Sequence, residues 1–351
     1  MQGSARQAFV VAVVFVGVVV AVIALWKLRV LLALLFLAFI VAAAMRPGVE
    51  ALRRYRIPRG AAILLHYAVL VSLFALLLWL VVPRATDQIQ SATSSSRIAS
   101  EARERTGVEH DILIGLQKRL EELPSGAELI DPAVELTLTA FQVFIGLFFV
   151  LAAAAYWIFE RDRAVDLVTS LLPRPQRKLV RDTWSLIDLK LGAYVRGQAV
   201  LILFVATVLS AVFWAIGLPF WLLIGVFAGV VEIVPVVGPL AAGALAVGVG
   251  LTESLAVAAA AGIAVLAVRL LEDYLVIPRV LGEAVGLSPL LVLTSVTGMA
   301  LLFGEFAVLL AIPVAAVLAT LVNVIVLDKD PAEEEVPAVI FPARDAETTA
   351  G

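Results

Sequence analysis

Long apolar segments separated by polar ones make up the chain from residue 9 to residue 327. About 20 apolar residues are enough to cross a hydrocarbon core of about 30 Å. Segments rich in Leu, Ala and Val satisfy their backbone hydrogen bonds in lipid by forming helices. The pattern therefore predicts an all-α polytopic membrane protein with about eight transmembrane segments. They lie near residues 9–26, 30–45, 61–83, 134–159, 197–217, 219–250, 254–277 and 289–327.

Composition strengthens this prediction and removes several classes of function. Hydrophobic residues make up 62% of the chain and charged residues 16%, against about 25% charged residues in soluble domains. The net charge is -3 and no long basic tract is present, so nucleic acid is not an expected partner. The absence of cysteine excludes disulfides and thiolate metal sites. We expect membrane lipid as a partner, and neither a cofactor nor a metal.

Basic residues in short loops predict the orientation, because cytoplasmic loops are enriched in Lys and Arg. The loops at 46–59 and 160–196 are the basic ones. We therefore predict that the chain spans the cytoplasmic membrane and that both termini lie in the cytoplasm.

The same pattern predicts four regions along the chain. Residues 1–83 form transmembrane helices 1–3, and residues 84–133 form an extracytoplasmic amphipathic helical arm. Residues 134–327 form a transmembrane transport core that includes the cytoplasmic loop 160–196. Residues 328–351 form a disordered acidic cytoplasmic tail. The arm is either a solvated linker or an element that gates the protein or contacts substrate.

The apolar segment 219–250 is interrupted near its middle by Glu232, Pro235, Gly238 and Pro239. Each proline lacks an amide hydrogen and obstructs the preceding helical turn. We therefore expect a broken or re-entrant helix here, of the kind that transporters use to build sites at membrane depth. The alternative is a proline kink or a short loop at the membrane surface.

The segment 289–327 is too long for one crossing and contains Gly304, Glu305 and Pro313. A second break between Gly304 and Pro313 is predicted. Glu305 is either a carboxylate within the membrane or a cap on a loop at its surface.

Arg269, Glu272 and Asp273 occupy one helical face, because the two acids follow the arginine by three and four positions. One arginine cannot neutralise two carboxylates, and charges inside a membrane are costly. The surplus carboxylate is a candidate for carrying a proton or a sodium ion, and the alternative is a structural ion pair. His66 is interpreted as a buried polar contact and His110 as a surface residue.

Several motifs, in this order and spacing, resemble those of the autoinducer-2 exporter (AI-2E) family of transporters. The resemblance extends over nearly the whole chain. It implies a multi-spanning inner-membrane transporter that forms a homo-oligomer, in a family where some members export autoinducer-2 and others exchange sodium and protons. The matching motifs are Pro47 to Leu52, Arg56 to Ala61, Ala193 to Gln198, Glu232 to Pro239, Glu272 to Gly282 with its Pro278, Gly286 to Leu290, Phe303 with Gly304, and Ala311 to Val314.

Together these features predict a secondary transporter that moves a small solute or ion across the cytoplasmic membrane. The specific expectation is export of a small signal-like molecule, coupled to a proton or sodium gradient. The alternatives are a sodium/proton antiporter and a passive channel or membrane scaffold. No phosphate-binding loop, HExxH motif or activated serine is evident, so no enzymatic activity is expected. The candidates for substrate contact and ion coupling are Glu232, Pro235, Gly238, Pro239, Arg269, Glu272, Asp273, Pro278, Gly304 and Glu305.

Overall fold

The computed structural model describes residues 2–93, 130–234, 237–280, 287–334, 336, 339 and 340. Within these residues all regular structure is helical, which confirms the predicted all-α class. A π-helical turn spans Glu272–Val276 and a 3-10 helix spans Glu305–Leu310. The α-helices are α1 (Gln2–Lys27), α2 (Arg29–Arg54), α3 (Arg59–Thr93), α4 (Ile130–Ser170), α5 (Arg174–Ala215), α6 (Trp221–Val231), α7 (Val237–Glu253), α8 (Leu255–Leu271), α9 (Ile277–Val280), α10 (Pro289–Phe303) and α11 (Ala311–Ile325).

Seven helical stretches in the described part of the chain are long and apolar enough to cross a membrane. The remaining one of the about eight predicted segments is 219–250, which was expected to be broken and forms two shorter apolar helices. The seven stretches are Phe9–Lys27, Arg29–Arg54, Arg59–Pro83, Phe141–Ser170, Arg174–Ala215, Leu255–Val280 and Glu305–Ile325.

Both predicted breaks are present. The 11 residues of α6 extend about 16 Å at 1.5 Å per residue, too short to cross about 30 Å of hydrocarbon. A turn at 232–234 follows, and α7 begins at Val237. The second break falls at Gly304, whose φ of 90° with ψ of 177° is essentially restricted to glycine. Helices α10 and α11 pack against each other on its two sides.

Helices extend through segments that the hydropathy pattern predicts to be loops. Helix α2 continues to Arg54, which leaves only residues 55–58 between it and α3. In the predicted loop 160–196, α4 continues to Ser170 and α5 begins at Arg174. Polar residues in these extensions lie on helices that continue the membrane spans. Of the predicted arm, residues 94–129 lie outside the described residues.

Helix α5 is shared by the two main packing units. Its second half packs with α6, α7 and α8 in a core that contains Phe213, Ile224, Ala246 and Ala261. The other unit combines α2, α3 and α4. Leu191 of α5 packs against α2 and α11, which connects the two units.

Small residues set how closely helices approach α5. Gly225 and Gly229 lie one turn apart on α6, facing Ser210 and Ala206 of α5. A Cβ on Gly225 would lie 2.6 Å from the backbone nitrogen of Ser210, closer than real Cβ contacts. Glycines at such spacing allow helix backbones to approach each other in membranes, where apolar side chains gain little from leaving lipid. The contact holds α6 antiparallel on α5.

Asp188 of α5 links three helices through buried charge. Its Oδ2 accepts hydrogen bonds from Arg161 Nε of α4 at 2.8 Å and from Arg46 Nη1 of α2 at 3.5 Å. Arg46 also contacts Glu50 at 2.6 Å, and Arg161 contacts Asp162 at 3.3 Å. The cluster joins the N-terminal helices to α5.

The outer surface of the helices is strongly apolar. Along α1, every side chain from Phe9 to Trp26 is exposed in the single chain. Exposed apolar area on this scale does not occur in soluble monomers but suits a surface in lipid.

The described residues after α11 contact the helices rather than leaving them. Val339 is 5% exposed and packs against Ala193 of α5, and Glu334 forms an ion pair with Lys190. In this part the structure differs from the disordered tail that the sequence predicts. Apolar residues interspersed among the acids, such as Val336 and Val339, explain the difference because they supply area to bury. Residues 341–351 of the predicted tail lie outside the described residues.

Gly225→Ala should lower the stability of the protein in detergent. The new Cβ must push α6 away from Ser210, which we expect to cost about 1–3 kcal/mol. Gly248→Ala is the matched control, because no atom outside its own helix lies within 4 Å of a Cβ there. The control should be neutral or stabilising by up to about 1 kcal/mol. Tryptophan-fluorescence melting of both variants measures the difference, and equal melting temperatures would contradict the close α5–α6 contact.

Asp188→Ala should destabilise the protein by about 3 kcal/mol, because it removes the buried acceptor that the partly buried Arg161 and Arg46 share. Asp166→Ala is the matched control, since the Asp166–Arg181 pair lies on the surface. We expect that change to stay within about 1 kcal/mol. Unfolding titrations in SDS provide the measurement. A loss for Asp188→Ala no larger than for the control would mean that the cluster does not hold the units together.

Candidate functional site

A single arginine meets three carboxylates where the α6–α7 break adjoins α8. Arg269 Nη1 lies 2.8 Å from Glu232 Oε1 and 3.3 Å from Glu272 Oε2. Its Nη2 lies 3.1 Å from Asp273 Oδ1. The structure thus brings together all four charged residues that the sequence indicates between 232 and 273, although Glu232 is 37 residues away from Arg269 in the chain.

Glu232 and Arg269 both lie at the C-terminal ends of helices, which brings their side chains together. Glu232 caps the C-terminus of α6, in the turn that the break creates. Gln198 of α5 donates its side-chain amide to the backbone carbonyl of Glu232 at 3.2 Å, which fixes the turn against α5. Arg269 lies in the last turn of α8, where a cation is also favoured by the helix dipole.

A π-helical turn begins at Glu272, where α8 ends. The amide of Ile277 donates to the carbonyl of Glu272, five residues earlier. Pro278 follows directly and has no amide hydrogen to donate. The change from α-helical to π-helical hydrogen bonding therefore lies next to a position where one backbone hydrogen bond is missing. Single π-helical turns inside α-helices occur frequently at functional sites.

The cluster has unequal charge and unequal burial. Glu272 and Glu232 have side chains 2% and 7% exposed, whereas Asp273 is 41% exposed. One cation faces three acids, so the four side chains carry a surplus of negative charge when all are ionised. Glu272 is the deepest carboxylate and the one farthest from the guanidinium. No group of three or more metal-ligating side chains with suitable geometry occurs among the described residues.

The turn that presents Glu232 depends on close backbone packing. A Cβ on Gly238 would overlap the carbonyl oxygen of Val231, and the Gly238 amide donates to the Val234 carbonyl at 2.9 Å. Pro239 occupies the first turn of α7, where a missing amide hydrogen costs nothing. Pro235 lies outside the described residues.

The remaining candidates are not part of the charged cluster. Pro278 lies in α9, beyond the π-helical turn. Gly304 and Glu305 form the second break, and the Glu305 side chain is exposed with no ion pair among those found in the described residues. Whether Glu305 is a carboxylate within the membrane or a cap on a loop at its surface stays a prediction.

Sequence reasoning missed Gln198 and the Asp188 cluster. Gln198 stands at the end of a motif noted above, Ala193 to Gln198, but its partner is a backbone atom that no sequence pattern identifies. Asp188 lies in a stretch that was interpreted as a loop. Its cluster pairs three arginines with three acids around a small cavity, and its charge is balanced. Balanced charge favours a structural link, in contrast to the surplus around Arg269.

The two histidines are not part of either cluster among the described residues. His66 contacts the Ala62 carbonyl at 2.8 Å, and His110 lies outside the described residues.

Comparisons with known proteins give the family. Residues 10–327 match the family described as AI-2E family transporter. The protein named "Putative transport protein YueF" from Bacillus subtilis (strain 168) is 28% identical over 291 residues, which cover 78% of this chain and 79% of the relative. "Putative transport protein YrrI" from the same organism is 23% identical over 209 residues, or 58% of this chain and 59% of the relative. Both the match across nearly all of the chain and the all-helical membrane fold lead to one assignment, and the chain belongs to the AI-2E transporter family.

Proposed function

We propose that this protein is a secondary transporter that exports a small signal-like molecule across the cytoplasmic membrane, driven by a proton or sodium gradient. Its termini face the cytoplasm and it works as a homo-oligomer without enzymatic activity. The single observation that carries the proposal is the surplus of buried carboxylate around Arg269, at a helix break.

Surplus carboxylates at membrane depth support ion coupling for an electrostatic reason. A charge removed from water costs several kcal/mol unless it is paired or neutralised. Arg269 compensates Glu232 at 2.8 Å and Asp273 at 3.1 Å more closely than Glu272 at 3.3 Å. Binding a proton or a sodium ion at Glu272 would remove the remaining imbalance. Binding and release of that cation at Glu272 would then be coupled to the relative positions of α8 and α6, because Arg269 contacts Glu232 as well.

The helix break supports a role in movement. The turn after α6 is attached to α5 through Gln198 and to α8 through Arg269, so it contacts both neighbours of the site. Broken helices that meet at a charged site are a recurrent construction in secondary transporters. A change in the charge of Glu272 would therefore be transmitted to the α6–α7 hairpin through the shared Arg269 guanidinium.

Glu272→Gln should reduce gradient-driven flux in proteoliposomes by about tenfold or more, because a loss of about 1.4 kcal/mol in the coupled step changes its rate tenfold. The substitution keeps the shape of the side chain and removes its charge. A pH-sensitive dye inside the vesicles reports proton movement, and a sodium-sensitive dye reports sodium. Asp166→Asn is the control, since this carboxylate is exposed and outside the cluster.

The two dyes also separate the candidate functions. Saturable proton or sodium movement that Glu272→Gln abolishes supports a coupled carrier, and movement without any organic solute supports the sodium/proton antiporter. Full flux in Glu272→Gln, Glu232→Gln and Asp273→Asn alike would exclude coupling through this cluster. Discrete current steps in planar bilayers would identify a channel instead.

Gly238→Ala should impair transport more than it impairs folding. Its Cβ must displace the Val231 carbonyl, which moves Glu232 away from Arg269. Gly243→Ala on the same helix is the control, because a Cβ there meets Val265 at an ordinary 3.5 Å. We expect flux about tenfold lower for Gly238→Ala, with normal gel-filtration behaviour, and near-normal flux for the control. Equal flux in both variants would show that the geometry of the turn is not needed.

A further inference from the structure

The chain folds back on itself after α11. Asp328 adopts a left-handed conformation with φ of 49°, and the Lys329 amide donates to the Asn323 carbonyl at 3.0 Å, which closes the end of the helix. Aspartate tolerates this conformation better than most residues. The following residues contain an Asx turn, in which the Ala332 amide donates to Asp330 Oδ1 at 2.8 Å. This local structure directs the chain toward α5.

The face of α5 that receives the returning chain carries two cations. Lys190 and Arg196 lie on either side of Ala193, at spacings of three residues that place all three on one helical face. The Lys190 side chain is 7% exposed and pairs with Glu334. Arg196 Nε donates to the Val339 carbonyl at 2.9 Å, and its Nη1 donates to the Ala44 carbonyl of α2 at 3.2 Å. Buried cations require such partners.

The contact also has an apolar centre with α9 on its other side. Val339 is 5% exposed and Ala193 is fully buried, with Val336 and Val280 packed around them. Val280 ends α9, which directly continues the π-helical turn that begins at Glu272. The returning segment therefore contacts both α5, which carries Gln198, and the helix that follows Glu272.

We propose that the described residues after α11 (328–334, 336, 339 and 340) belong to a C-terminal strap that inhibits the protein by docking between α5 and α9. While docked, the strap holds α9 against α5 and thereby restrains the π-helical turn at Glu272. Its release frees α9 to move. The binding face accepts an acidic segment with valines at intervals, and this chain supplies that segment itself. This inference rests on the proposed transport function for its effect on flux, but the docking is independent of transport.

Docking is tested first on purified protein in detergent, with a cysteine as reporter. Because the chain contains no cysteine, a single Val280→Cys is the only thiol. The strap covers this position, so a bulky maleimide should label it slowly. Glu334→Lys places like charges together at Lys190 and should speed labelling by about tenfold. The exchanged pair Lys190→Glu with Glu334→Lys should restore slow labelling, which separates release from misfolding.

A disulfide then locks the strap in place. Ala193→Cys with Val339→Cys joins two side chains of the apolar centre. In proteoliposomes, the oxidised protein should lose about tenfold in flux, and reduction should restore it. Ala193→Cys with Ile340→Cys is the control pair, since Ile340 is 69% exposed. The released variant Glu334→Lys should transport faster than the unmodified chain.

The outcomes distinguish the two proposals. Labelling of Val280→Cys that is equally fast with and without Glu334→Lys would overturn the strap. Equal, measurable flux in the locked, released and unmodified proteins would also overturn it, while leaving the transport function in place. No flux in any variant, the released one included, would overturn both.

Discussion

A charged side chain removed from water must find a partner inside the protein, and this constraint determines where the helices of this chain meet. The exterior is apolar, so burial of Leu and Val gains little where the alternative is lipid. Helix contacts therefore depend on close backbone approach and on polar pairs. Arg269 with three carboxylates, Asp188 with two arginines, and Lys190 with Glu334 each lie where separate helices or segments converge. Gly225 and Gly229 allow the backbones of α6 and α5 to approach each other closely.

The two charge clusters differ in balance, which supports the different roles proposed for them. Around Asp188, cations and anions are equal in number and the contacts join α2, α4 and α5 into a fixed unit. Around Arg269, anions outnumber the cation, and the groups lie at a helix break and a π-helical turn. A balanced cluster has a single favoured state. Under the proposed function, a surplus carboxylate has two, with and without a bound cation, and would provide the alternation that a transport cycle needs.

How much the sequence predicts depends on how local the signal is. Apolar length predicts the helices, Gly304 and the motif around Gly238 predict the breaks, and Arg269 with its following acids predicts one helical face. The pairing of Arg269 with Glu232 depends on how the α6–α7 hairpin folds onto α8, which no local pattern contains. The helical extensions to Arg54 and from Arg174 were missed because polar residues there were interpreted as loop. The contact of Val339 with Ala193 was missed because an acidic composition masks a few well-placed valines.

Helix α5 connects these observations. Within one stretch it presents Asp188 to α2 and α4, Lys190 and Arg196 to the chain after α11, and Gln198 to the turn after α6. The first contact is ionic and buried between helices, whereas the last is one hydrogen bond to a backbone carbonyl. Rearrangement at the site therefore costs least if it is confined to the turn after α6 and to α9, while α6 keeps its close glycine contact with α5. A segment that bridges α5 and α9 is placed to oppose that movement, because it joins the fixed element to the mobile one.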